Sequence, residues 1–173
     1  LTLMRPRLNA LTVFAVAAGW WSAEGAIGDP LRFASAVVGS ALVAGGSSAL
    51  NQAMERDFDA RMRRTADRPV PTGRMTPVRA AIFGALLSTS GAATLAAGTN
   101  LLTTGLALAC LVWYLAIYTP LKRRTSLNTL AGTIPGALPP VMGVAAATGE
   151  LGLSAWFLFA LLVAWQLPHF LSI

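Results

Sequence analysis

Residues 31–54 read LRFASAVVGSALVAGGSSALNQAM, and Arg32 is the single charged side chain of this run. A helix of this length can cross the hydrocarbon core of a membrane, because about 20 residues at ~1.5 Å per residue are sufficient. The run does not alternate apolar and polar residues, so it does not resemble a strand of a membrane β-barrel. Residues 31–54 therefore predict a transmembrane helix.

Further apolar runs occur along the chain, and the composition agrees with them. Hydrophobic residues make up 55% of the 173 residues and charged residues only 12%, about half the share typical of a soluble domain. The single cysteine, Cys110, excludes a disulfide within the chain. We predict an all-α, polytopic transmembrane helix bundle that forms a single domain over residues 1–173. Its predicted spans are roughly 8–23, 31–54, 78–98, 101–118, 128–148 and 153–173.

The basic residues lie on one side of this predicted bundle. If the spans alternate in direction, 12 of the 13 Lys and Arg residues precede the first span or lie in or beside the loops 55–77 and 119–127. The positive-inside rule makes these loops cytoplasmic and places the N-terminus in the cytoplasm. The rule accounts for the net charge of +6 without nucleic acid, because the basic loop lacks the row of aromatic residues that an RNA platform requires.

Small residues and prolines inside the runs predict how the helices pack. Glycines such as Gly84 and Gly91 allow two helix backbones to approach closely in a membrane. The fifth run contains Pro135, Pro139 and Pro140, and each proline removes a backbone donor. We therefore expect this helix to be kinked or broken.

A polar stretch follows the second run directly. Asn51, Glu55 and Asp59 are four residues apart, so on a helix they share one stripe, whereas Asp57 falls off it. An amide and two carboxylates offer the oxygen ligands that Mg²⁺ prefers. The arginines that follow are suited to bidentate contacts with a diphosphate.

The same pattern is also typical of a solvated, salt-bridged segment beside a membrane. Two features favour a binding site. The acids continue a predicted membrane helix, where ionisable groups usually have a function. A second basic cluster, Tyr118 to Thr125, lies on the same predicted side. Two such loops could enclose the anionic head group of a lipid diphosphate.

These motifs resemble those of a known family. Asn51-x3-Glu55-x-Asp57-x-Asp59, with Arg64-Thr65-x2-Arg68-Pro69 after it, resembles the first acidic motif of the UbiA superfamily of intramembrane prenyltransferases. Three later motifs resemble its haem O synthase (protohaem IX farnesyltransferase) branch. They are Tyr118-Thr-x-Leu-Lys-Arg123, Gly136-Ala-x-Pro-Pro140 and Trp165-Gln-x-Pro-His-Phe170.

The resemblance implies a fold and a reaction. The fold is a bundle of nine transmembrane helices, so we expect this chain to be a truncated N-terminal part with about six of them, and inactive by itself. The reaction is the Mg²⁺-dependent transfer of a farnesyl group from farnesyl diphosphate to a vinyl group of haem B, which gives haem O. The resemblance also implies contact with membrane lipid, a cell inner membrane, and a haem A synthase or oxidase-assembly partner.

The resemblance and the residue chemistry together give candidate site residues. The candidate catalytic and Mg²⁺-binding residues are Asn51, Glu55 and Asp59, with Asp57 as a weaker ligand. The candidate diphosphate contacts are Arg64, Arg68, Lys122, Arg123 and Tyr118. The candidate haem-binding residue is His169, the single histidine.

Simpler roles stay open for several of these aromatic and imidazole side chains. Tyr118 is equally consistent with an interfacial aromatic belt, to which we also assign Trp20 and Trp21. For His169 the simpler alternative is a hydrogen bond to a neighbouring helix.

Two other functions remain as alternatives. The first is another UbiA-type prenyltransferase with an aromatic or chlorin acceptor. The second, from a different class, is a non-catalytic membrane transporter, because broken helices and buried polar residues also occur there. Transporter sites lie near the membrane midplane, whereas the acids of this chain follow the end of a span.

Overall fold

The computed structural model describes residues 2–122, 125 and 128–171. A short 3₁₀ helix (Thr2–Met4) precedes the bundle. The helices that follow are α1 (Pro6–Glu24), α2 (Pro30–Met54), α3 (Arg56–Asp59), α4 (Pro77–Gly98), α5 (Leu101–Val112), α6 (Thr119–Leu121), α7 (Asn128–Thr148) and α8 (Leu153–Leu171). A π-helical segment (Trp113–Tyr118) joins α5 to α6, so that Leu101–Leu121 is one long helix. No strand occurs in the described residues, which confirms the all-α prediction.

The helix bounds follow the predicted apolar runs closely. By length and composition, the helices able to cross a membrane are Pro30–Met54, Pro77–Gly98, Leu101–Leu121 and Asn128–Thr148, while Leu153–His169 is a shorter apolar helix. The predicted run 8–23 lies inside α1. Helical turns follow the predicted second and fourth spans in α3 and α6. There the Asp59 N–H donates to the Glu55 carbonyl at 2.8 Å, and the Lys122 N–H donates to the Tyr118 carbonyl at 3.0 Å.

Helices α2 and α4 pack closely against each other. A Cβ on Gly46 would lie 2.6 Å from the Gly84 carbonyl oxygen, and a Cβ on Gly91 would lie 2.7 Å from the Gly39 carbonyl oxygen. These pairs run in opposite order along the two helices, so the helices are antiparallel. Backbone meets backbone here because small residues leave no side chain between the axes, as the sequence predicts.

Helix α7 is the most buried helix and packs against α1, α5 and α8. It continues through Pro135, Pro139 and Pro140, so of the two expected outcomes, a kink or a break, the break does not occur. The prolines leave carbonyl oxygens of α7 without a backbone donor. Cys110 of α5 and Trp113 of the π-helical segment supply side-chain donors to two of these oxygens, which supports a continuous helix.

One end of the bundle is closed by the N-terminal segment and the loop after α3. Leu3 and Val70 are buried together with Ala49 of α2 and Ala80 of α4. The buried Gln52 side chain donates to the Leu3 carbonyl at 2.8 Å. The acidic stretch and the loop from Ala60 to Met75 lie at this end, which we name the charged end.

Candidate functional site

The acidic residues of the predicted stripe are buried together. Asn51, Glu55 and Asp59 are 2%, 3% and 2% exposed, whereas Asp57 is exposed. Although α2 ends at Met54, the Glu55 N–H still donates to the Asn51 carbonyl at 2.9 Å, and the same helical spacing repeats at Asp59. The predicted phase, with Asp57 off the stripe, therefore agrees with the structure.

Each buried carboxylate has a cationic partner from a different loop. Arg68 Nη1 lies 2.6 Å from Asp59 Oδ2, and Lys122 Nζ lies 3.3 Å from Glu55 Oε2. A buried carboxylate is costly unless it is paired and hydrogen-bonded, so these contacts allow both acids to remain inside. Arg68 comes from the loop after α3, and Lys122 follows α6. The structure thus brings the two predicted basic clusters to one place.

Arg5 is a neighbour of this site that the sequence analysis did not single out as a site residue. Among the described residues other than glycine, it is the one with a positive φ, 46°. Its charge acts on Glu55, Asp59 and Tyr114. Burial lowers the pKa of the Arg5 guanidinium, which still carries its charge at neutral pH. The left-handed backbone conformation of Arg5 marks it as unusual, and this conformation is seen in the structure but not in the sequence.

The end of the π-helical segment and Thr119, the first residue of α6, lie beside Asn51 of the stripe. The Asn51 side-chain N–H₂ donates to Thr119 Oγ1 at 3.0 Å, and the Thr119 hydroxyl donates to the Tyr114 carbonyl at 2.8 Å. The Tyr114 and Tyr118 rings stack with centroids 5.6 Å apart. Tyr118, a predicted site residue, therefore lies near the acids. Tyr114 and Thr119 are additional residues that the sequence analysis did not select, and Tyr114 lies in a π turn, which has no simple sequence signature.

Two of the remaining predicted residues, Arg64 and His169, are exposed. Arg64 is exposed, although its charge acts on Tyr118. Arg123 lies outside the described residues. His169 is exposed on α8, and its ring stacks on Trp165 with centroids 5.1 Å apart. The buried Gln166 lies against Gly136 of α7, since a Cβ there would be 2.9 Å from Gln166 Cδ.

The donor set at the acids is compatible with a hard divalent cation. Within residues 2–122, 125 and 128–171, no cluster of three or more His, Cys, Asp or Glu residues is able to hold a metal ion alone. Asn51, Glu55 and Asp59 nevertheless offer one amide and two carboxylate groups on one side. Mg²⁺ commonly takes one or two carboxylates from a protein and completes its octahedron with water and phosphate oxygens. These residues therefore fit a shared protein–substrate site rather than a closed protein cage.

Comparison with known proteins finds relatives that are similar over the whole chain. Protoheme IX farnesyltransferase of Anaeromyxobacter sp. (strain Fw109-5) is 48% identical over 173 residues, which cover 100% of this chain and 58% of that protein. The protein of the same name from Solibacter usitatus is 50% identical over 145 residues, which cover 84% of this chain and 50% of that protein.

A third relative of that name, from Salinibacter ruber, is 45% identical over 175 residues, 100% of this chain and 61% of that protein. The chain thus spans between half and about three-fifths of the length of these curated relatives. No solved structure matches it.

The family comparison covers most of the chain. Residues 12–173 match the UbiA prenyltransferase family. This range contains the acidic stripe, both loops of the charged end and the π-helical segment. The chain therefore belongs to the UbiA prenyltransferase family of multi-pass membrane proteins.

Proposed function

We propose that the protein transfers a farnesyl group from farnesyl diphosphate to the vinyl group of haem B and gives haem O. The observation that carries the proposal is a pair of buried, cation-paired carboxylates at one end of an apolar bundle. Full-chain similarity to proteins named protoheme IX farnesyltransferase supports the choice of donor and acceptor.

The acidic stripe would hold the metal ion. Members of the UbiA family generally use divalent metal ions, and we propose Mg²⁺ here. Asn51, Glu55 and Asp59 would supply its protein ligands, and the exposed Asp57 would contribute little. When bound, Mg²⁺ would supply stabilisation of the negative charge that develops on the leaving diphosphate.

Cationic side chains would bind the diphosphate itself. The proposed contacts are Arg64, Arg68, Lys122, Arg123 and Tyr118. Arg68 and Lys122 have the strongest support, because both already lie against the carboxylates at which the metal would sit. Each could exchange part of its carboxylate contact for phosphate oxygens, and an arginine fork matches phosphate geometry in a bidentate way.

The proposed reaction forms one carbon–carbon bond. The allylic C–O bond of farnesyl diphosphate breaks, and the diphosphate leaves with the electron pair. The π electrons of the haem vinyl group attack the farnesyl carbon, and the resulting cation on the former vinyl group takes up water and loses a proton. The cationic side chains stabilise the leaving group, and the apolar helices keep bulk water from the farnesyl cation.

His169 is the proposed haem contact. It lies on α8, one turn after the buried Gln166, which packs on Gly136 in the first half of α7. A neutral imidazole can ligate haem iron, and a protonated one can bind a propionate. We propose that His169 binds haem B, with Trp165 as the aromatic surface against which its ring is held.

The proposed setting is the cell inner membrane, with the N-terminus and the charged end in the cytoplasm. The concentration of Lys and Arg at this end supports that orientation through the positive-inside rule. A haem A synthase or an oxidase-assembly factor is the proposed partner, because either could take up the product.

The experiment is a reconstituted assay of the full-length protein in membranes. Haem B, farnesyl diphosphate and Mg²⁺ are supplied, and haem O is identified by mass. We expect haem O to form and to disappear when Mg²⁺ is chelated. Prenyl transfer to an added quinone precursor, without haem O, would overturn the acceptor. Absence of diphosphate release with every acceptor would favour the transporter alternative.

A further inference from the structure

The prolines of α7 leave carbonyl oxygens without backbone donors. In an α-helix each carbonyl accepts from the N–H four residues later, and proline has no N–H. Pro135 therefore leaves the carbonyl of Ala131 without its donor, and Pro139 does the same for the carbonyl of Pro135. Such groups must find other partners when they are buried among apolar helices, because no water replaces the donor there.

Side chains of the neighbouring helix reach these two carbonyls. Trp113 Nε1 donates to the Ala131 carbonyl at 2.9 Å, and Cys110 Sγ lies 3.6 Å from the Pro135 carbonyl oxygen. Cys110 and Trp113 are three residues apart, so both lie on the same face of their helix and towards α7. A thiol is a weak donor, and the indole N–H is therefore the stronger of the two contacts.

The Trp113 contact lies beside the proposed substrate site. Trp113 is the first residue of the π-helical segment, and Tyr118 is its last. The Tyr118 ring covers Gly132, the residue after Ala131, since a Cβ on Gly132 would lie 2.9 Å from Tyr118 Cε2. Thr119 follows directly and accepts the hydrogen bond from Asn51. Residues 113–119 thus contact both α7 and the acidic stripe.

We propose that Trp113 is a positioning residue for the diphosphate end of the site. Its indole N–H replaces the backbone donor that Pro135 lacks. This hydrogen bond holds α7 against Tyr118 and Thr119. The hydrogen bond is independent of the proposed function, whereas the role in substrate positioning rests on it.

The hydrogen bond is tested by a double-mutant cycle in the full-length protein. Trp113→Phe keeps an aromatic ring and removes the donor, whereas Pro135→Ala gives α7 its own N–H for the Ala131 carbonyl. Trp21→Phe is the matched control, because Trp21 is 57% exposed on α1. We expect Trp113→Phe to lower the melting temperature in detergent by roughly 2–4 °C in the natural background. In the Pro135→Ala background, and for Trp21→Phe, we expect little change.

The positioning role is tested by steady-state kinetics on the same proteins. We expect Trp113→Phe to lower kcat/KM for farnesyl diphosphate about tenfold, because small displacements of reacting groups have large effects on rate. The KM for haem B should change less than about twofold, since Trp113 adjoins the diphosphate end. Pro135→Ala should restore most of the lost kcat/KM.

The following outcomes for the variants would overturn the proposal. An equal effect of Trp113→Phe in both backgrounds would show that the indole N–H does not replace the missing donor. A loss confined to the KM for haem B, or a loss that Trp21→Phe reproduces, would remove the positioning role. If Trp113→Phe alone does not accumulate, we expect the Trp113→Phe/Pro135→Ala double variant to accumulate, and its failure would also overturn the proposal.

The double-mutant cycle of melting temperatures still tests the hydrogen bond between Trp113 and Ala131 if the natural protein makes no haem O. In that case the proposed function and the positioning role fail together, and a coupled melting cycle still assigns the indole N–H to the proline-freed carbonyl.

Discussion

Helix α2 packs in two different ways along its length. Between Gly39 and Gly46 it meets α4 through backbone atoms, with small residues on both sides. Beyond Leu50 the same helix and its continuation bury Asn51, Glu55 and Asp59, each against a polar partner. The first region depends on the absence of side chains between two helix axes, and the second depends on the partners of Asn51, Glu55 and Asp59. The first should therefore be sensitive to added volume, and the second to a lost partner.

The largest expected effect is at Asp59. We expect Asp59→Asn to lower the rate of haem O formation about 1,000-fold, ~4 kcal/mol in activation free energy, because the neutral side chain binds Mg²⁺ weakly and leaves Arg68 without its charged partner. The rate is measured in membranes with the amount of folded protein matched. Glu24→Gln, an exposed acid at the opposite end, is the control. A variant that retains a third of the natural rate would remove Asp59 from the site.

The next effect tests the close helix pair. We expect Gly46→Leu to destabilise the bundle by about 3 kcal/mol, since a side chain at this position meets the backbone of α4. The apparent melting temperature in detergent should fall by roughly 6–12 °C. Gly105→Leu is the matched control, because a Cβ at Gly105 has no heavy atom within 4 Å. Equal melting temperatures for the two variants would mean that α2 and α4 are not in close contact.

A smaller effect is expected at Lys122. We expect Lys122→Ala to lower kcat/KM for farnesyl diphosphate about 30-fold, ~2 kcal/mol, because Glu55 loses its cationic partner and the diphosphate loses one contact. Lys122→Arg keeps the charge and should recover most of the activity. The two variants are compared in the haem O assay at several concentrations of farnesyl diphosphate. If alanine and arginine behave alike, the charge of Lys122 has no role in binding.

The smallest effect is expected at Asp57, which is the neighbour of the buried acids in sequence but is exposed. Asp57→Asn should change the rate of haem O formation by less than about twofold, because solvent screens an exposed carboxylate. The measurement is made beside Asp59→Asn under the same conditions. A large loss at Asp57 would contradict the assignment of the stripe to Asn51, Glu55 and Asp59.

The sequence alone predicts the helices and predicts which acidic residues share one face of a helix. Long apolar runs fix the helices, and the helical repeat separates Asp57 from Glu55 and Asp59 without any tertiary information. The spans at the two ends of the chain and the cytoplasmic orientation stay predictions. The roles of the individual site residues also stay predictions.

Other features depend on contacts that no local pattern encodes. The sequence predicts an interfacial belt position for Trp20 and Trp21, and the structure contradicts this for Trp20. Its ring is buried, and its indole donates to the carbonyls of Ala26 and Ile27 at 3.1 Å because the loop after α1 folds back over it. Arg5 approaches the acids through one left-handed backbone conformation. Trp113 and Cys110 gain their roles from prolines in a different helix.

The hydroxyl of Thr119 determines which way round the Asn51 amide lies. This hydroxyl has one proton, and it gives that proton to the Tyr114 carbonyl, so towards Asn51 it can only accept. The Asn51 side chain must therefore turn its NH₂ group to Thr119, which leaves its oxygen on the other side. Rotation of the amide by half a turn would set two lone pairs against each other. An ionised aspartate at position 51 has no proton to offer Thr119, so it would keep this contact only if the Thr119 hydroxyl turned its own proton away from the Tyr114 carbonyl.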